Sequence, residues 1–362
     1  MEPITTKFLT GVEKHHDREI IIFPNDRVTY GELHETAFSI AKSLYALGVR
    51  RGDHVGILMA NSIDYVAILF GASYLGAIPV LYNGRFKARE IAHVTSDASI
   101  KVIITSDQID EHTDYGELLQ HALPGLSALN PSTGNSKIAA AQDLKTAIMF
   151  GEKKLEGFLD QSTFTEIGNS VSSNLITSAL SKIRSDDAAV MFYTSGTTSM
   201  PKGCHLSHTV LQHAGSVGGV ERLGLQEGDK LFAPLPMFHT AFSQPFSGVL
   251  QIGGTLLSMP HFDAGSALKL IHEEKPTSMF PAFAMITHEI QSQPEYTTES
   301  FKSVRTIVNV GPPNILMQLQ EKMPYTKQIT VFGMTETGGS VSMGNKDLSD
   351  SERTQTSGTA LP

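Results

Sequence analysis

Short apolar runs alternate with helix-length amphipathic stretches through most of the chain, and this rhythm constrains the fold more than any other feature of the sequence. Tyr30, Leu33, Ala37, Ile40, Ala41, Leu44 and Leu47 recur at steps of three and four residues, the stripe of a helix that Gly48 stops. His54–Met59 follows as a buried strand. A helix capped by Asn61 or Ser62 then runs to Tyr74, with a strand near Ile78, a helix over Arg89–Asp97 and a strand over Lys101–Thr105. From Ala188 the rhythm resumes, with strands near 189–194, 231–233, 255–258, 277–280, 304–309 and 329–332. Parallel strands need crossover helices, and such sheets bind ligands beyond the carboxyl ends of their strands. The expected class is α/β with mostly parallel sheets.

Residues 124–145 are rich in Pro, Ser, Asn and Gly, and periodicity stays weak up to about Ala188. They read as a surface connection between two subdomains, at about 1–185 and 186–340, with 341–362 as a partial third region. The tail from Gly344 to Gly358 is polar and turn-rich, and neither a closing helix nor a closing strand is expected in it. The uncharged run Tyr65–Tyr82 approaches the length of a membrane span, but Gly71, Gly76 and Pro79 favour helix, turn and strand. No integral membrane segment is expected.

With 28 Lys and Arg against 37 Asp and Glu, the formal charge is -9, and no basic block tracks a phosphate backbone, which argues against nucleic acid as a partner. The single cysteine, Cys204, excludes an internal disulfide and a multi-thiolate metal site. Its place in an alternating pattern suggests a buried small side chain rather than a nucleophile. The opening MEPITTKF lacks the charge and apolar core of a signal peptide, pointing to the cytosol. His205, His208 and His213 do not share a ligand face, and Glu273–Glu274 reads as a solvated helix end. Oligomeric state is not legible.

The sharpest chemical feature is the apolar run Ala189–Tyr193 emptying into Thr194-Ser195-Gly196-Thr197-Thr198-Ser199-Met200-Pro201-Lys202-Gly203. Small residues let backbone N–H groups converge, hydroxyls donate and Lys202 supplies a point charge, so the loop suits a phosphate. A Walker loop would place Ser or Thr after the lysine at a helix start. Here Gly203 follows, then Cys204-His205-Leu206 as a second strand, with Ser207 a plausible cap.

The T-S-G-T-T-x-x-P-K-G pattern resembles the signature of the adenylate-forming superfamily, which includes acyl-CoA synthetases, luciferases and the adenylation domains of peptide synthetases; Ser199 stands where that family usually has Gly. Val331-Phe332-Gly333-Met334-Thr335-Glu336-Thr337-Gly338-Gly339 resembles its aromatic-G-x-T-E motif. There Phe332 could lie against a flat base, Gly333 permit close backbone approach, Thr335 donate to the α-phosphate and Glu336 ligate Mg²⁺. Leu235-Pro236-Met237-Phe238-His239 resembles the P-x-[FY]-H segment, and Ser303-Val304-Arg305 with Val310-Gly311-Pro312-Pro313 resembles S-L-R and G-G-A-P-L, with Val310 and Pro312 replacing Gly and Ala. Thr29-Tyr30-Gly31-Glu32-Leu33 and Asn83-Gly84-Arg85 resemble the early T-Y-x-E-L and N-x-R segments of acyl- and aryl-CoA ligases.

The resemblance implies an AMP-binding N-terminal domain over 1–362, built of two αβα subdomains and an incomplete β-barrel. It implies ATP, Mg²⁺ and a small carboxylic acid as ligands, with CoA as co-substrate. Lys202, His239, Thr335 and Glu336 would carry the chemistry, and Glu336, more weakly Thr194, would hold Mg²⁺. Thr194, Ser195, Gly196, Thr197, Thr198 and Lys202 would meet the phosphates. Gly311, Pro312, Phe332, Gly333, Met334 and Thr335 would meet the rest of the nucleotide. The acid would lie near His239, Phe242, Val310, Gly311 and Gly338, along an apolar helix containing Phe246, Gly248 and Val249. The family's T-G-D segment, hinge and lid with its catalytic lysine do not follow within these residues, so weak or no turnover by this chain alone is expected. A non-catalytic binding fragment, a luciferase-like domain and a peptide-synthetase domain remain as alternatives.

Overall fold

The computed structural model describes residues 1–130, 138–194 and 200–362. In chain order its strands are β1 (Glu19–Phe23), β2 (Asp26–Thr29), β3 (His54–Leu58), β4 (Ile78–Leu81), β5 (Ile100–Ser106), β6 (Thr146–Phe150), β7 (Phe158–Asp160), β8 (Ala188–Thr194), β9 (Lys202–Ser207), β10 (Lys230–Phe232), β11 (Thr255–Leu257), β12 (Ser278–Phe283), β13 (Thr306–Val310), β14 (Lys327–Ile329), β15 (Val331–Met334), β16 (Gly339–Met343) and β17 (Thr359–Ala360). The helices are α1 (Ile4–His15), α2 (Tyr30–Ala46), α3 (Ile63–Tyr74), α4 (Ala88–Asp97), α5 (Tyr115–Ala122), α6 (Gln161–Gly168), α7 (Ser173–Leu180), α8 (His208–His213), α9 (Thr240–Ile252), α10 (Ala264–Glu274), α11 (Ala284–Gln291), α12 (Pro313–Glu321) and α13 (Asp350–Gln355). A π-helix spans Ala214–Arg222. Two compact units result, residues 32–208 and residues 1–31 with 209–362.

The unit of residues 32–208 is built on a seven-stranded sheet in the order β7-β6-β5-β3-β4-β8-β9, parallel except for the antiparallel β8–β9 pair. Its central strands are buried on both faces, as parallel strands covered by crossover helices must be. Helix α3 begins where the Ser62 hydroxyl accepts from the Tyr65 N–H at 3.0 Å, and Tyr65, Val66, Ala67, Ile68 and Phe70 are all buried. The uncharged run is therefore a core helix turned by Gly76 (φ 65°) into β4. Among the described residues no helix is long and apolar enough to cross a membrane.

Within 124–145, where the composition suggested a surface connection, several of the described residues are core anchors. Leu126, Leu129, Ile138, Ala141 and Leu144 pack into the core beneath α4 and α5, and β6 lies inside the sheet between β5 and β7. Widely spaced apolar anchors in a polar segment leave no periodic signal, yet each fills a core position. The chain divides at 208/209 rather than near 185, because β8 pairs with β4 and β9 with β8.

The second unit holds a seven-stranded sheet in the order β14-β13-β12-β10-β11-β1-β2, parallel except for the β1–β2 hairpin. Residues 1–31 belong here because β1 pairs with β11 and the Tyr30 hydroxyl donates to the Gly254 carbonyl at 2.9 Å. Ile22, Phe232, Leu257, Met279, Ile307, Leu316 and Leu319 form the core under α10, α11 and α12. The segment expected as one strand near 329–332 is two, since Thr330 separates β14 from β15, which begins an antiparallel sheet β15-β16-β17. No closed barrel is present among the described residues.

The tail also departs from expectation, forming α13 and β17. Ser349 and Glu352 cap α13 reciprocally, and buried Arg353 donates to the Gln328 carbonyl at 2.7 Å, a tertiary tie that composition hides. Glu274 is likewise not a solvated helix end: its side chain is 12% exposed and pairs with Lys230 at 2.7 Å and Arg27 at 3.2 Å.

Candidate active site

In the unit of residues 32–208 the candidate phosphate loop leaves the carboxyl end of β8, the edge at which parallel sheets bind ligands. Thr194 and Lys202 are cross-strand partners where the loop opens, and Lys202 is exposed. Ser195, Gly196, Thr197 and Thr198 lie outside the described residues. A strand rather than a helix contains Lys202, which removes the Walker alternative. Beside β8, at the end of β4, Asn83 accepts from the Arg85 N–H at 3.0 Å in a side-chain-closed turn. Cys204 is half-buried rather than buried, because β9 is an edge strand.

The remaining candidates gather at the carboxyl edge of the second unit's sheet. His239 follows β10, Val310-Gly311-Pro312 follows β13, and the β15 turn follows β14. His239 is the N-cap of α9, its Nδ1 accepting from the Ala241 N–H at 3.0 Å. Although the residue has an exposed edge, burial of the ring lowers its pKa, and the positive helix terminus acts in the same sense. With Nδ1 occupied as an acceptor, the neutral ring carries its proton on Nε2, which is left to donate to an oxyanion. Phe242 is 1% exposed and stacks on Phe246 at 5.2 Å. Val310 is exposed, as are Phe332 and Met334, which leaves an apolar rim around this edge.

Thr335–Thr337 forms a single 3₁₀ turn closed by Gly338 at φ 77°, with Glu336 exposed on it. The Thr337 hydroxyl contacts the Met334 carbonyl at 2.9 Å and that of Gly339 at 3.0 Å. Gly338 is buried; a Cβ there would stand 2.3 Å from Val210 Cγ1. At Gly333 a Cβ would stand 2.0 Å from the Gly339 carbonyl oxygen, so this glycine is demanded by its own hairpin. The Glu336 carboxylate is a hard oxygen donor suited to Mg²⁺. Among the described residues no group of three or more His, Cys, Asp or Glu could hold a metal ion.

Sequence reasoning missed Gln244. This residue of α9 is 3% exposed, and its Oε1 accepts from both the backbone N–H (3.1 Å) and the hydroxyl (2.8 Å) of Ser340. It ties the helix headed by His239 to the strand that follows the Glu336 turn. The signal available was one glutamine among the aromatics of Phe242-Ser243-Gln244-Pro245-Phe246. Also missed was the buried relay in which Thr287 donates to Asn309 (2.7 Å) and Asn309 to Gln328 (2.8 Å), locking β13 against β14 beneath both loops.

The sequence matches the family model of the AMP-binding enzymes over residues 8–362. The chain belongs to that family. The adenylate-forming resemblance of its motifs thus extends over nearly the whole length, as the N-terminal domain region. This AMP-binding chain is 28% identical to YngI of Bacillus subtilis over 360 residues, covering 97% of the chain and 64% of YngI. It is 28% identical to the long-chain-fatty-acid–CoA ligase FadD13 of Mycobacterium tuberculosis over 316 residues, covering 86% of the chain and 56% of that protein. The N-terminal domain of FACL13 from the same organism shares the fold, with a TM-score of 0.77 at 23% identity, covering 99% of this chain and 83% of that one. The chain therefore spans rather more than half the length of these curated relatives.

Proposed function

We propose that this chain provides the ATP- and acid-binding part of an AMP-forming ligase that joins a carboxylic acid to CoA. What carries the reading is the strand–loop–strand device at the end of β8, where Thr194 faces Lys202 across the loop bearing the T-S-G-T-T-x-x-P-K-G signature. The acid carboxylate attacks the α-phosphorus of ATP, giving acyl-adenylate and pyrophosphate; a thiol then displaces AMP to give the thioester. Two anions must be aligned against their repulsion, so positioned cations and donors are the main catalytic need.

In this reading Lys202 and the Thr194–Thr198 donors hold the phosphates, and Thr335 donates to the α-phosphate. His239 donates from Nε2 to the acid carboxylate or the oxyanion that develops from it. Glu336 would hold Mg²⁺, which when bound neutralises triphosphate charge. Gly311, Pro312 and the exposed Phe332 and Met334 would border the nucleotide, and Val310 and Gly338 the acid. The apolar rim favours an aliphatic or aromatic acid, in keeping with a relative that is a long-chain-fatty-acid–CoA ligase.

The test is pyrophosphate exchange into ATP with a panel of fatty and aromatic acids, on this chain and on a version extended through a lid domain. Lys202→Ala and Glu336→Ala serve as controls. Acid-dependent exchange abolished by either substitution supports the reading. Tight MgATP binding with no exchange in either protein would favour a non-catalytic binding module instead.

A further inference from the structure

We propose that His93 and Asp97 of α4 are positioning residues for the candidate phosphate site, gripping the residue that precedes each of Thr194 and Lys202. The two lie one helical turn apart on the same face of α4. The His93 Nε2–H donates to the Pro201 carbonyl at 2.9 Å, one residue before Lys202. The Tyr193 hydroxyl donates to Asp97 Oδ2 at 2.6 Å, one residue before Thr194. A single helix face thus holds both limbs of the hairpin at the level where they diverge.

The helix is itself well anchored. Thr95, between the two tethers, bonds the Tyr82 hydroxyl at 2.8 Å, and Tyr82 directly follows β4, the neighbour of β8. Lys87 and Glu90 cap its start. Burial, reinforced by Asp97, pushes the Tyr193 phenol well up, so it stays protonated and donates throughout the physiological range. Pro201 is buried, and its carbonyl cannot turn to water without losing the His93 bond. His93, Asp97, Pro201 and Lys202 line one depression of about 540 Å³, so the tethers lie directly beside the lysine. Long, flexible lysine side chains reach a phosphate reproducibly only when their backbone is fixed, and small displacements of such groups are costly.

The inference rests on the reading of Thr194 and Lys202 as phosphate ligands. Its test is calorimetric titration of the 362-residue chain with MgATP, alongside thermal melting, for wild type, His93→Leu, His93→Gln and Tyr193→Phe. Leucine removes the donor, whereas glutamine places an N–H at similar reach. We expect about tenfold weaker MgATP binding for His93→Leu and recovery to within about twofold for His93→Gln. Tyr193→Phe should weaken binding several-fold. Wild-type affinity in His93→Leu, or equal weakness in both His93 variants, overturns the inference and leaves the nucleotide reading standing. A folded wild type that does not bind MgATP overturns both.

Discussion

His208 offers a quantitative test of how this chain buries ionisable groups. It opens α8 directly after β9, is 2% exposed, and its Nδ1 is buried with no hydrogen-bond partner among the described residues. Burial lowers its pKa from 6.5 to about 4, with Asp187 opposing the shift and Arg51 adding to it. The unfolded chain therefore takes up this proton at a higher pH than the folded one, so stability falls as pH drops below about 6.5 and levels off only below the folded pKa of about 4. Linkage gives a loss of about 2 kcal/mol by pH 5 and about 3 kcal/mol by pH 4. His15, His205 and His239 are shifted in the same direction, so the His208 share must be isolated. Urea unfolding of wild type and His208→Leu from pH 8 to pH 4.5 does this, since leucine fills the site without titrating. The stability difference should move in favour of the leucine variant by about 2 kcal/mol between pH 8 and pH 5. A pH-independent difference, or a His208 ring that titrates near 6.5 by NMR, would refute the reasoning.

Gln244→Met should cost about 1–3 kcal/mol in urea unfolding, because both Ser340 donors lose their acceptor; unchanged stability would remove Gln244 as the tie between α9 and β16. Gly338→Ala should destabilise by roughly 1–3 kcal/mol and lower the melting point, since a side chain at φ 77° is strained and meets Val210; a neutral result would mean that the turn after Glu336 yields easily. His239→Asn keeps an N-cap acceptor and should leave stability near wild type, whereas His239→Ala should lose about 1 kcal/mol. Both should abolish acid-dependent pyrophosphate exchange, and full exchange by the asparagine variant would dismiss Nε2 as a donor. Glu336→Gln should raise the Mg²⁺ concentration needed for ATP binding while leaving the melting point unchanged; an unaltered Mg²⁺ titration would take Glu336 out of the metal site.

The features readable from the sequence are those written in contiguous residues. The α2 stripe ending at Gly48, the α3 run and the strand–loop–strand device around Lys202 each depend on local spacing, glycine placement and side-chain chemistry. The same holds for the turn bearing Thr335 and Glu336, although Gly333 proved to serve its own hairpin. Short capped elements such as α13 were lost because six polar residues carry no apolar period, and their stability comes from contacts such as Arg353 with Gln328.

By itself the amino-acid sequence determined the α/β class and the order of the motifs, because these follow from periodicity and from residues a few positions apart. Only tertiary structure decided that Leu126, Leu129, Ile138, Ala141 and Leu144 are core, that Phe242 packs inward, and that the chain divides after His208. It alone brought His93 to Pro201, 108 residues away, and Gln244 to Ser340, 96 residues away. The physical reason is the same in each case: a buried position or a hydrogen bond between distant residues is set by which strands pair and which helix faces meet, and no local pattern encodes that partner.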